Sequence, residues 1–254
     1  MKKLMLMIAT LFIGVSQTLF AVYPDIPKEI HFATEATYPP FEFIDATGKI
    51  RGFDIDIANA LCEKIKVKCK FSNAAFNSLI PSLNLGKYDA VIAAMGITIP
   101  RKRMVAFTDP YYIPTSSFVA KAAKHYAVSD VIGKIVGVQT GSTMETYLKT
   151  QYRSRVVLKT YASIQDAFLD LVAGRIDFVF ADTIIAKEWL KQNNNSQTYG
   201  IVEKPILDAA HFGSGYGIAV RTTEQPLLNA LNKALAEIKA DGTYARLTKQ
   251  YFGE

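Results

Sequence analysis

An alternation of strand-like and helix-like segments runs through this chain twice, and no other feature limits its fold as much. The apolar run "IHFA" passes through the turn "DATGKIRG" into a helical pattern from about Asp54, with Ala58, Leu61, Cys62 and Ile65 on one face. "CKFS" reads as the next strand. "FNSLIPSLNLG" reads as a short helix that buries Leu79, Ile80 and Leu83 and ends at Gly86, and "DAVIAAM" as a buried strand. A β-α-β-α-β order predicts a parallel sheet, because a strand can run beside its predecessor in the same direction only after a crossover. After "FTDPYYIPTSSFVAKA" the pattern restarts, with strands at "KIVGVQ", "VVLKTY" and "DFVFA" and helices at "STMETYLKTQ" and "IQDAFLDLVAG". Beyond "FGSGYGIAV" come two helices, Pro226 to about Ala240 and Thr243 to Tyr251. The first spaces Leu227, Leu231, Ala234, Leu235 and Ile238 along one apolar face. The expectation is an α/β protein of two lobes: residues 22–114 together with 211–254 form one, and 115–210 the other. Two extended crossings join them around a cleft, and such clefts are favoured ligand sites. With 254 residues, half of them apolar, the chain is long enough for both cores.

The first 21 residues stand apart. "MKKLMLMIATLFIGVSQTLFA" has two lysines, an apolar stretch from Leu4 to Val15, and a small-residue end at Ala21, the pattern of a cleaved secretory signal peptide. A membrane-spanning helix needs ~20 apolar residues, and Ser16, Gln17 and Thr18 interrupt the run; an uncleaved anchor is the alternative. Export sets the redox context for Cys62 and Cys69, the only two cysteines, in "LCEKIKVKCKF". In an oxidising compartment they read as one local disulfide, the alternative being two buried thiols. Without histidine neighbours they make a poor zinc site. The formal charge of +6 falls to +4 when Lys2 and Lys3 leave with the signal. The remaining basic residues are scattered apart from "RKR" at 101–103 and lysines at 64, 66, 68 and 70, and no nucleic-acid-binding motif accompanies them, so solvated faces account for the charge.

Seven segments, in order along the mature chain, carry a resemblance: "ATYPPFEF", "GFDIDIANALC", "FNSLIPSLNLGKYDAVIAAMGIT", "PRKRMVAFTDPYY", "GSTMETYL", "GRIDFVFAD" and "GYGIAV...ALAEIKADGTYARLTKQYF". Together they resemble the periplasmic polar amino-acid-binding proteins of ABC importers, solute-binding protein family 3, and among these the arginine-binding and lysine/arginine/ornithine-binding members. The resemblance implies a two-lobe periplasmic binding protein fold of type II. It also implies capture of a free basic amino acid, foremost L-arginine, in the periplasm and its delivery by a monomer to an inner-membrane ABC permease, with no cofactor, metal or nucleic acid.

A free amino acid brings an α-carboxylate and an α-ammonium, and a closed cleft has to satisfy both, because an unpaired buried charge costs several kcal/mol. By resemblance, Arg101 binds the carboxylate, for which a guanidinium's two parallel donors are suited. Read without the resemblance, it is a surface arginine in a basic turn. Gly96 and Thr143 match positions whose backbone N–H groups face that carboxylate, although Ser142 and Glu145 also spell a helix-capping box. Asp182 matches the partner of the ammonium, or else caps the helix in "DTIIAKEWL". Tyr38 and Phe76 match aromatic walls around the ligand side chain, ordinary core packing being the bland reading. Pro39 and Pro40 stiffen the loop that carries Tyr38. Glu35 lies near the far end of the ligand, at a position where broad-specificity relatives carry aspartate. Ala93 and Ala94 in "AAMG" stand where such relatives have serines, so backbone groups replace hydroxyls there. Gln139, at the end of "KIVGVQ", completes the expected set.

Two other readings use the same fold. One is a periplasmic lyase resembling cyclohexadienyl dehydratase, which would need a placed acid or base. Against it, His31, His125 and His211 are the only histidines, far apart and in no recognisable motif. The other is a receptor that presents its ligand to a signalling partner. "GSGYG" at 213–217 superficially resembles a nucleotide loop, but it precedes a strand-like "IAV" rather than opening a helix.

Overall fold

The computed structural model describes residues 26–122 and 127–253; the expected signal peptide and His125 lie outside them. The first round of the pattern gives β1 (Glu29–Thr34), β2 (Thr37–Tyr38), β3 (Glu42–Ile44), β4 (Ile50–Arg51), α1 (Phe53–Ile65), β5 (Lys68–Asn73), α2 (Leu79–Asn84), β6 (Ala90–Val91), α3 (Ile99–Lys102) and β7 (Ala106–Phe107). The second gives β8 (Ser116–Lys121), β9 (Ile135–Gln139), α4 (Thr143–Tyr147), β10 (Val157–Tyr161), α5 (Ile164–Val172), β11 (Phe178–Asp182), α6 (Thr183–Lys191) and β12 (Tyr199–Ile206). After α7 (Ala209–Phe212) and β13 (Ala219–Val220), the chain ends in α8 (Gln225–Ala240) and α9 (Thr243–Phe252).

Two five-stranded sheets form the lobes, ordered β5-β1-β6-β13-β7 and β10-β9-β11-β8-β12. The chain leaves the first sheet after β7 and returns to it at β13, so two segments cross between the lobes. The parallel expectation holds for β5-β1-β6 and β10-β9-β11. It fails for the remainder: β13 runs antiparallel to β6 and β7, and β8 antiparallel to β11 and β12. The antiparallel strands, β8 and β13, are each the first strand formed after a crossing, so each enters its sheet from the other lobe and not from a neighbouring strand of the same sheet. "DAVIAAM" also forms less ladder than its apolar run suggests. Only Ala90–Val91 are strand, and the chain bends at Ala94, whose φ is 42°.

A small antiparallel sheet, β2-β3-β4, sits over the first lobe and carries Tyr38. It closes onto α1 at Gly52, where φ is 131° and an added Cβ would lie 2.1 Å from the Phe41 carbonyl oxygen, so only glycine fits. Asp54 and Asp56 occupy the first turn of α1 and Lys64 its last, in keeping with the helix dipole. Cys62 and Cys69 are bonded, with Cα atoms 6.0 Å apart, and fasten α1 to the edge strand β5. The C-terminal helices rejoin this lobe: Leu227, Leu231, Leu235 and Ile238 share a core with Ala58 and Leu61, Lys64 pairs with Asp241 at 2.6 Å, and the Tyr251 hydroxyl donates to Asp56. Among the described residues no helix is long and apolar enough to cross a membrane.

Candidate functional site

A cleft of about 330 Å³ opens between the lobes. Every site residue expected from the sequence lines it: Glu35, Tyr38, Phe76, Ala93, Ala94, Gly96, Arg101, Gln139, Thr143 and Asp182. Glu42, Ser142, Met144 and Tyr216 line it as well.

Arg101 projects from α3, whose first turn is set by Pro100 and by Thr98, its hydroxyl accepting from the Arg101 N–H at 3.4 Å. The guanidinium crosses the cleft: Nη1 donates to the Gly96 carbonyl at 2.9 Å and Nη2 to the Gly141 carbonyl, in the other lobe, at 3.0 Å. It also lies 5.3 Å over the Phe76 ring, a cation–π contact. Burial lowers its pKa to about 10, which leaves it charged at neutral pH. Gly96 is held to glycine by a close approach, since a Cβ would lie 2.8 Å from the Phe212 carbonyl oxygen. Gly141 is fixed by Glu145, whose Oε2 accepts its N–H at 2.6 Å, and Ser142 accepts from the Glu145 N–H at 3.1 Å. Ser142 and Glu145 therefore do serve as helix caps, with the glutamate reaching one residue beyond the position a capping box uses.

Asp182 ends β11 at the N-cap position of α6, yet its side chain makes no capping bond. It turns into the cleft, where Oδ2 accepts from the Tyr38 hydroxyl at 2.6 Å and from the Tyr216 hydroxyl. Burial raises its pKa to about 6, against the lowering effect of the two phenols and of Arg101. Glu35 is buried and accepts from the Thr37 hydroxyl and, across the cleft, from Gln139 Nε2 at 3.1 Å. Desolvation raises its pKa too, more than these donors lower it. The lobes thus meet through Arg101 on Gly141, Tyr38 on Asp182, and Gln139 on Glu35.

Glu42 and Tyr216 escaped the sequence reading. Glu42 is 1% exposed; burial, and after it the nearby Asp54 charge, push its carboxyl well above the usual carboxylate range, towards the neutral form. Asp54 Oδ2 in turn accepts from the Ala94 N–H at 2.7 Å and from the Tyr111 hydroxyl at 2.7 Å, which anchors the bend at the cleft floor. An acid inside the apolar "PPFEF" was the available signal for Glu42. For Tyr216 it was the glycines that flank it in "GSGYG".

Two lobes that close on a small cleft with an arginine, buried acidic side chains and aromatic walls define a solute-binding protein. The chain belongs to the bacterial extracellular solute-binding proteins, family 3, whose model matches residues 30–150 and 126–254. It is 47% identical over 225 residues to the ABC transporter arginine-binding protein 1 of Escherichia coli (strain K12), covering 89% of this chain and 91% of that protein. Among solved structures it is similar to a Salmonella typhimurium periplasmic binding protein described for its high arginine specificity (40% identity, TM-score 0.83, 88% of this chain and 99% of that one). An ancestral arginine-binding protein solved with arginine is 41% identical, with a TM-score of 0.83 over 89% of this chain and 99% of its own. An ancestral arginine-binding protein solved with glutamine is likewise 41% identical, with a TM-score of 0.83 over 90% of this chain and 100% of its own.

Proposed function

We propose that this protein captures free L-arginine, or another basic amino acid, in the periplasm and delivers it to an ABC permease in the inner membrane. The charge pattern of the cleft carries the reading. With burial and the Asp54 charge driving Glu42 towards its neutral form, the walls offer one guanidinium, Arg101, and two carboxylates, Asp182 and Glu35. A basic amino acid is the complement, with one carboxylate and two cations. In this arrangement Arg101 takes the α-carboxylate, with backbone N–H groups of Gly96 and Thr143. Asp182 takes the α-ammonium, Glu35 the side-chain cation, and Tyr38 and Phe76 flank the stem. Ala93 and Ala94 offer backbone groups only. The raised pKa values of Asp182 and Glu35 fit this role, since burial without a counter-cation disfavours their ionised forms and a bound cation removes that cost.

We read the protein as a binding protein and not an enzyme. His31 and His211 lie outside the cleft lining, and the relatives are transport binding proteins. We divide the chain into lobes at 22–114 with 211–254 and at 115–210, following the memberships of the two sheets. Thermal melts of the purified protein against a panel of amino acids test the function. A ligand at 100 times its Kd adds about 2.7 kcal/mol, a rise in Tm of roughly 5–10 °C for a chain of this size. Arginine should give the largest rise at equal concentration. A response confined to prephenate-like acids, with turnover, would replace this reading with the lyase.

A further inference from the structure

Two tyrosines from separate parts of the chain converge on one oxygen of Asp182. Tyr38 comes from β2, and Tyr216 from the segment that returns to the first lobe; both hydroxyls donate to Oδ2. Among the described residues no hydrogen bond falls on Oδ1. We propose that Tyr216 is a positioning residue of the ammonium subsite: with Tyr38 it saturates Oδ2, fixes the plane of the Asp182 carboxylate, and leaves Oδ1 as the oxygen presented to the ligand. This rests on the reading of Asp182 as the acceptor of the α-ammonium.

The placement of Tyr216 is built into the backbone. Its N–H donates to the Tyr112 carbonyl at 2.7 Å and its carbonyl accepts from the Tyr111 N–H at 2.9 Å. The ring stacks on Tyr112 at 5.6 Å and meets the Phe41 ring edge-on at 5.5 Å. The flanking glycines permit this approach. A Cβ on Gly215, where φ is 125°, would lie 2.7 Å from the Tyr112 carbonyl oxygen, and one on Gly217 would lie 2.8 Å from the Ile97 side chain. "GSGYG" thus holds a phenol at a fixed point on the cleft wall. A carboxylate bonded at one oxygen by a single donor can still swing. Two donors from different segments restrain it, and charge-assisted bonds of this kind are about twice as strong as neutral ones.

The phenols also favour the ionised carboxylate and so oppose the effect of burial. The other charged or titratable groups near Asp182 are Arg101, which stabilises its charge, and Glu42, which burial and Asp54 drive towards the neutral form. Removing the Tyr216 hydroxyl should therefore move the acid limb of arginine binding to higher pH. The limb set by Glu35 should stay where it is.

Tyr216→Phe keeps the ring and its packing. Calorimetric titrations from pH 5 to 8 should use L-arginine and the arginine analogue that lacks the α-amino group. For arginine we expect affinity at neutral pH to fall about tenfold, in line with loss of a hydrogen bond to a charged group, and the acid limb to rise. For the analogue both should be unchanged. Tyr38→Phe should move the arginine limb in the same direction. An arginine limb left in place by Tyr216→Phe, or an equal loss for arginine and the analogue, would overturn the proposal. Asp182→Asn separates the two levels. If it binds arginine as tightly as the parent, the ammonium assignment itself is wrong. If it loses arginine binding while Tyr216→Phe leaves the limb unmoved, only the role of Tyr216 fails.

Discussion

Replacing Glu35 with glutamine probes how the cleft selects a side chain. Glu35 is 4% exposed, and among the described residues its carboxylate accepts hydrogen bonds from Thr37 and Gln139 alone. Its raised pKa records the cost of holding that charge out of water. A guanidinium arriving at the far end of the cleft offsets this cost and adds charge-assisted bonds. Glutamine at the same position keeps the size and one acceptor oxygen. With its oxygen in the place of Oε2 the new amide still accepts from Gln139 Nε2, and its NH2 can donate to the Thr37 hydroxyl oxygen, so without added ligand the variant should melt no lower than the parent. The charge is lost, and with it about 1–3 kcal/mol of arginine affinity, the range for hydrogen bonds that involve charged groups. That is roughly a fivefold to 150-fold rise in Kd. Glutamine as a ligand brings no side-chain cation, so its affinity should change little and the arginine-to-glutamine ratio should shrink by nearly the whole factor. Calorimetric titration of both ligands against Glu35→Gln and the parent reads the ratio directly. An unchanged ratio would refute the reasoning, because side-chain selection would then lie elsewhere in the cleft.

Arg101→Ala should weaken every amino acid by a similar factor, since the α-carboxylate is common to all; truncating one partner of a buried charge pair costs ~2–5 kcal/mol. Undiminished arginine affinity in that variant would remove Arg101 from the site. The rise in Tm produced by saturating arginine should shrink as pH falls from 7 to 5. Asp182, raised by burial to about 6, lies above its unfolded value, so the proton favours the folded form and its share of stability is lost as pH rises through 6. Arginine needs the ionised carboxylate and works in the opposite sense, so a rise in Tm independent of pH would contradict this. Replacing Cys62 and Cys69 together by serine should lower stability by about 2–3 kcal/mol, the chain-entropy value for a loop this short. Urea unfolding under non-reducing conditions measures it, and a variant as stable as the parent would show that the bridge adds nothing.

Much of the fold was legible because periodicity is a local property. The spacing of Leu227, Leu231 and Leu235 marks a buried helix face whatever it packs against, and the double β-α alternation is visible before any contact forms. Strand direction at the crossings was not legible. Whether β13 runs with or against β6 depends on where the chain re-enters the sheet after passing through the other lobe. The residues of the cleft were located through resemblance carried by ordered motifs; taken one at a time, Asp182 read equally well as a helix cap.

What the sequence determined by itself is the set of elements, their order, the cysteine pair and the turn at Pro39 and Pro40, because each depends on residues close together in the chain. The tertiary structure alone decided which carboxyls would carry charge. Burial and the Asp54 charge drive Glu42 towards its neutral form, while Asp182 accepts from two phenols, feels the charge of Arg101 and is held closer to ionisation. It also decided that Tyr216 would face Asp182, across 34 positions of sequence. The reason is physical: burial and a partner's charge set the state of an acid, and both come from segments that folding brings together only after the local pattern has been spent on forming the elements.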